Sequence, residues 1–161
     1  MPLNRTNDEQ TTEMAIFMWK RCPTVRAGLT KKQVRQVGSL GQLSVNRMAE
    51  HFSAHLENTT VCKNLSQKGW DLENRTEVKT AATTCCKGQN HPDYYQIQIK
   101  GLTNKEKSDH IIAVVYNDVL SKTQVLRIPN HFYRGKKNYC CGLNKETGDI
   151  NGLQKYIIDE G

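Results

Sequence analysis

The six consecutive residues Ile111-Ile-Ala-Val-Val-Tyr116 limit the possible folds more than any other stretch of the chain. Side chains alternate across a strand, so a run that is apolar at every position turns hydrocarbon to both sides of its sheet. Such a strand suits the middle of a sheet that is covered on both faces. The rest of the chain must therefore supply flanking strands and covering elements.

Neighbouring segments read that way. Tyr94 to Lys100 alternates apolar and polar residues and stops at Gly101, while Val125 to Ile128 stops at Pro129. Thr76 to Thr80 reads as a strand, and Tyr156 to Ile158 closes the sheet. Gly69 to Leu72 reads as a further short strand, joined to Thr76–Thr80 through a turn at Glu73-Asn74. Upstream the period is helical. Val45, Met48, Ala49, Phe52 and Leu56 keep the i, i+3, i+4, i+7 spacing behind a capping Ser44, which predicts a helix to about Glu57. A first helix is expected from about Glu9 to Lys20, capped by Asn7 or Asp8 and ended by Pro23, and a short basic helical piece from Thr30 to Val37. Together these elements predict one α/β (α+β) domain over residues 1–161, a central mixed sheet of about five strands flanked by helices. Residues 45–130 form its core, and the helical segment 1–40 is assigned to dimerisation or DNA contact.

Charge narrows the partners. Lys and Arg number 23 against 16 Asp and Glu, a net charge of +7. The surplus gathers between Lys20 and Arg35 and again at Arg134, Lys136 and Lys137, a distribution that suits a polyanion. No stretch approaches the roughly 18 apolar residues of a membrane span, and Met14–Trp19 is too short for a signal core. These features place the protein in the cytoplasm, away from membranes. The vicinal pairs Cys85-Cys86 and Cys140-Cys141 lack C-x₂-C spacing, and adjacent residues of a strand face opposite ways, so the cysteines read as thiols. The Asn-x-Ser/Thr triplets at Asn4, Asn58, Asn64 and Asn74 read as unglycosylated.

Chemistry concentrates in Gly69-Trp-Asp-Leu-Glu-Asn-Arg-Thr-Glu-Val-Lys-Thr80. Alternation puts Glu77 and Lys79 on one face of a strand and sends Val78 into the core. Across the turn, Asp71 can approach the same face. Two close carboxylates repel unless they share a cation, and oxygen ligands at that density suit Mg²⁺, one ion or two. Phosphodiester hydrolysis uses such a site. Lys79 would position or deprotonate the attacking water, or offset charge on the phosphorane.

The order of an acidic-faced helix, Asp71, Glu77-Val-Lys79, the strand 94–100, Ser108–Tyr116 and Leu126-Arg-Ile-Pro129 resembles the PD-(D/E)xK nuclease superfamily, in particular its small type II restriction endonucleases. The resemblance implies a restriction-endonuclease-like fold with Asp71 and Glu77 as metal ligands and Lys79 as catalytic lysine. It also implies that the Val78 carbonyl completes the metal shell and that a helix acid joins it, Glu57 ahead of Glu50. No Pro precedes Asp71, a departure from the pattern. A second triplet, Gln98-Ile-Lys100 behind Asp93, is a weaker version of the same arrangement.

The expected activity is Mg²⁺-dependent, site-specific cleavage of double-stranded DNA. One active site per chain and two strands to cut call for a homodimer on a palindromic target. Gln96, Gln98 and Lys100 are expected on the DNA-facing side of the sheet, and the loops Thr83–His91 and Arg134–Asn138 at the bases. Alternatives are a homing, junction-resolving or nicking repair endonuclease of the same fold, or a non-catalytic basic DNA-binding module.

Overall fold

The computed structural model describes residues 3–36, 42–63, 69–86, 94–103, 105 and 107–161, with the backbone alone at 42–44. Four α-helices, two short 3-10 turns and seven strands are described. α1 spans Asn7–Arg21, α2 Pro23–Gly28, α3 Lys31–Val34 and α4 Gln42–Leu56. The strands are β1 (Thr76–Ala81), β2 (Thr83–Cys86), β3 (Tyr94–Ile99), β4 (His110–Asn117), β5 (Lys122–Pro129), β6 (Tyr139–Leu143) and β7 (Ile157–Glu160).

The strands form two sheets rather than one. A mixed four-stranded sheet has the order β1-β4-β5-β7, and an antiparallel three-stranded sheet the order β2-β3-β6. β1 runs parallel to β4, with Glu77 opposite Ile111 and Lys79 opposite Ala113. β4–β5 and β5–β7 are antiparallel. The strand apolar on both faces is internal, as its sequence requires. Ile112, Val114 and Tyr116 join a core with α1 and α4, while Ile111, Ala113 and Val115 join a second core with Tyr95, Ile97 and Ile99 of the small sheet. Helices, large sheet and small sheet thus make three layers, an α+β architecture.

Several boundaries differ from expectation. α1 starts earlier, because Thr6 and Glu9 form a reciprocal capping box. Asp118 Oδ2 accepts the amides of Asn4 and Arg5, at 2.7 and 3.3 Å, which ties the chain ahead of α1 to the end of β4. Pro23 begins α2 instead of only ending α1, since a missing N–H costs nothing in a first helical turn. Ser44 lies inside α4, not at its cap. Of the expected loop Thr83–His91, residues 83–86 are strand β2, and residues 87–91 lie outside the described residues, as does Asp93. The segment Gly69–Leu72 is not a strand paired with β1; Leu72 makes one isolated antiparallel bridge, to Val61. The N-terminal helix packs Met14, Ala15, Phe17 and Met18 into the core against α4, so its apolar face is used within the chain.

Among the described residues, no helix is long and apolar enough to cross a membrane. All six cysteines are free.

Candidate active site

β1 is an edge strand of its sheet, and what happens along its free edge builds the site. A tight turn precedes it: the amides of Asp71 and Leu72 both donate to the Thr76 carbonyl, at 2.9 and 3.0 Å, and Arg75 N donates to Leu72 O at 2.9 Å. Closing so short a turn places Arg75 at φ 69°, a left-handed conformation that costs a residue bearing a Cβ about 1 kcal/mol. External contacts hold it there. The Arg75 guanidinium lies 4.9 Å from the Trp70 ring centroid and donates to Lys107 O at 2.9 Å, while Arg75 O accepts Asp109 N at 2.9 Å.

That turn delivers Asp71 to β1. Its Oδ2 accepts the Val78 amide at 2.9 Å, a side chain satisfying an edge N–H that has no strand partner. Amide and carbonyl of one strand residue leave on the same side, so the Val78 carbonyl also projects to this edge. The Val78 side chain points away, into the core with α1 and α4. Asp71 thus reaches the Glu77–Lys79 face as expected, through a side-chain bond instead of strand pairing.

The residues face a cleft of about 480 Å³. Asp71, Glu77, Val78 and Lys79 line it together with Asn46 and Glu50 of α4, Gln98 and Lys100 at the end of β3, and Lys105. It therefore lies on the edge of β1, with the helical layer on one side and the small sheet on the other. Thr80 Oγ1 hydrogen-bonds Asn46 Oδ1 and ties the strand to α4 across the cleft wall. Lys79 Nζ donates to Gly101 O at 3.1 Å. Gly101 has φ +72°, and a Cβ there would stand 3.2 Å from Lys79 Nζ, so both backbone and contact favour glycine.

Glu77 is the electrostatic centre. Its side chain is 2% exposed, yet among the described residues no aligned hydrogen bond reaches Oε2. Burial pushes its carboxyl up to about 8, and the adjoining Asp71 carboxylate adds to the rise; Lys105, with Nζ 2.9 Å from Oε2, opposes it. The Lys105 contact is close enough for an ion pair but not aligned as a hydrogen bond.

Among the described residues no three or more His, Cys, Asp or Glu side chains cluster as a metal cage. Mg²⁺ asks for less: it keeps most of its waters and uses one or two carboxylates. Two abutting carboxyls, one of them with a buried oxygen met by Lys105 Nζ, and a carbonyl on the same edge suit such an ion once the ammonium gives way.

The remaining expected residues divide. Gln98 and Lys100 line the cleft; Gln96 is buried in β3 and does not. Arg134, Lys136 and Lys137 also lie off it, although Leu102 N donates to Lys137 O at 2.9 Å and so fastens their turn to the one after β3. Lys136 sits over the Tyr139 ring, 4.8 Å from its centroid. Glu57 does not line the cleft either. Its Oε1 accepts His110 Nε2 at 2.5 Å and stands 3.5 Å from Arg127 Nε. Glu50 lies seven residues earlier, about 10 Å along a helix axis, and one helical turn from Asn46. That phase relation to Asn46 is the signal that selects Glu50. Lys105 had no signal at all in the sequence.

No family model matches the chain, and neither a curated protein nor a solved structure shows significant similarity to it.

Proposed function

We propose that this chain is a Mg²⁺-dependent DNA endonuclease of the PD-(D/E)xK type, acting in the cytoplasm on double-stranded DNA. One observation carries the reading: Asp71 is fixed by the Val78 amide against Glu77, with Lys79 on the same cleft-facing side of β1. A basic chain of net charge +7 whose cleft also presents Lys100 and Lys105 fits a phosphodiester substrate.

In this reading Asp71, Glu77 and the Val78 carbonyl hold the ion, which when bound lowers the pKa of a water and draws charge from the phosphate. The turn at Arg75 and the Val78 amide keep Asp71 from rotating away. Lys79 gives one N–H to Gly101 O and keeps two for the cleft, where they orient the attacking water or meet charge developing on the phosphate. Lys100 and Gln98 position the DNA backbone from the small-sheet side. Cutting both strands calls for two copies about a two-fold axis.

The test incubates the purified protein with supercoiled plasmid and Mg²⁺. Discrete fragments support a site-specific endonuclease, nicked circles a nicking or repair enzyme, and smearing unspecific hydrolysis. Plasmid left intact, with binding retained, would favour a non-catalytic DNA-binding module.

The two helix acids should separate in the same assay. Glu50→Gln is expected to lower cleavage about tenfold, as loss of one polar group beside the reacting centre does. Glu57→Gln should leave the rate within about threefold, yet cost roughly 1–2 kcal/mol in urea unfolding through its weakened pairing with His110 and Arg127.

A further inference from the structure

Lys105 lies outside the Glu-x-Lys triplet, in the turn between β3 and β4, yet its ammonium stands against the Glu77 carboxyl. Nζ is 2.9 Å from Glu77 Oε2, and the two side chains are 20% and 2% exposed. Its backbone is pinned. Lys105 N donates to Leu102 O at 3.0 Å, and Lys105 O accepts both the amide and the hydroxyl of Ser108, at 3.0 and 2.7 Å. Only the four-carbon stem is left to move, and it lines the same cleft as Lys79 and Lys100.

Lys105 is the cation that stands against the buried Glu77 carboxyl, in the place where a divalent ion would approach it. Among the described residues the Glu77 oxygen it faces has no aligned hydrogen-bond donor, which leaves it open to a divalent ion once the ammonium moves. Two cations cannot hold one place. We propose that Lys105 is the internal counter-ion of the Asp71–Glu77 pair and exchanges with the divalent ion, its ammonium turning off Glu77 into the cleft, where a phosphodiester oxygen of the DNA receives it. This rests on the metal-dependent nuclease reading and adds a coupling to it: the free protein holds its ion weakly, and DNA, by taking up Lys105, tightens it. The lysine acts as a positioning residue, keeping the ion's place beside the Asp71 and Glu77 carboxyls until substrate and metal arrive together.

The test measures Ca²⁺ binding calorimetrically on the full chain, without DNA and with a non-cleaved duplex. Lys105→Met should bind Ca²⁺ about tenfold tighter than wild type without DNA, since one repelling charge is gone, while Lys105→Arg stays near wild type. DNA should strengthen Ca²⁺ binding in wild type and much less in Lys105→Met. Equal or weaker Ca²⁺ binding by Lys105→Met, where wild-type binding is abolished by Asp71→Asn, overturns the exchange and leaves the metal site standing. Absence of any Asp71-dependent binding overturns both. A wild-type measurement guards against a misfolded variant: amine-reactive labelling read by mass spectrometry should show Lys105 several-fold more reactive once Ca²⁺ is added. Unchanged labelling at saturating Ca²⁺ also overturns the exchange.

Discussion

Plasmid cleavage by Lys79→Ala and by Asp71→Asn is expected to fall by about a thousandfold or more, while DNA binding in Ca²⁺ stays within roughly tenfold for the lysine variant. The two changes act on different parts of the cleft. Lys79 contributes no packing in the core; it makes one hydrogen bond, to Gly101 O, and its remaining N–H groups face the cleft. Its loss removes a cation needed most when charge develops on the phosphate, so the rate suffers far more than affinity. Asparagine at position 71 keeps an oxygen able to accept the Val78 amide and removes only the negative charge. Circular dichroism and urea midpoints should therefore match wild type for Lys79→Ala and lie close to it for Asp71→Asn. A folded pair of variants that still cut within tenfold of wild type would remove the catalytic assignment.

Glu77→Gln should abolish cleavage and, in metal-free buffer, make the protein more stable than wild type at alkaline pH. The sign follows from the raised carboxyl. In the unfolded chain Glu77 loses its proton near the ordinary 4.5, whereas burial and Asp71 hold it in the folded state to about 8. Folding therefore takes up a proton between those values. The associated stability is fully present below pH 4.5, declines as pH rises towards 8 and is lost above it, at up to about 1.4 kcal/mol per pH unit. Glutamine resembles the protonated acid and has no such slope. Urea unfolding in EDTA at pH 5.5 and 8.5 should show the gap between variant and wild type widening by a few kcal/mol. Mg²⁺ should then restore wild type at pH 8.5 and leave Glu77→Gln unchanged. Parallel pH profiles for the two proteins would mean that Glu77 is ionised at no cost.

Much of this architecture was legible from local pattern. Ile111–Tyr116 could be only an internal strand, because no other position buries both of its faces. The spacing of Val45, Met48, Ala49 and Phe52 gave α4 its inward side for the same reason. Alternation alone separated Val78 from Glu77 and Lys79. What could not be read was geometry set between distant segments. The small sheet escaped because β2 and β6 are short, rich in cysteine and glycine, and gain their stability from β3 and from the second core. Asp71 was placed correctly beside β1 by chain proximity, but its means of attachment was not, since a carboxylate capping an edge amide leaves no periodic trace. Proximity misled for Glu57: distance to Asp71 in sequence is no guide to distance along a helix axis. Lys105 meets Glu77 only because the turn after β3 folds over the edge of β1.

The parallel pairing of β1 with β4 has a consequence for synthesis. Everything between Ala81 and His110, including two strands of the other sheet, must leave the ribosome before Glu77 can settle opposite Ile111. Until then a nascent chain has its acidic residues in hand but no scaffold to press them together. Under the proposed nuclease function, an elongating or prematurely terminated product would lack the assembled site, which forms only once the long crossover has closed.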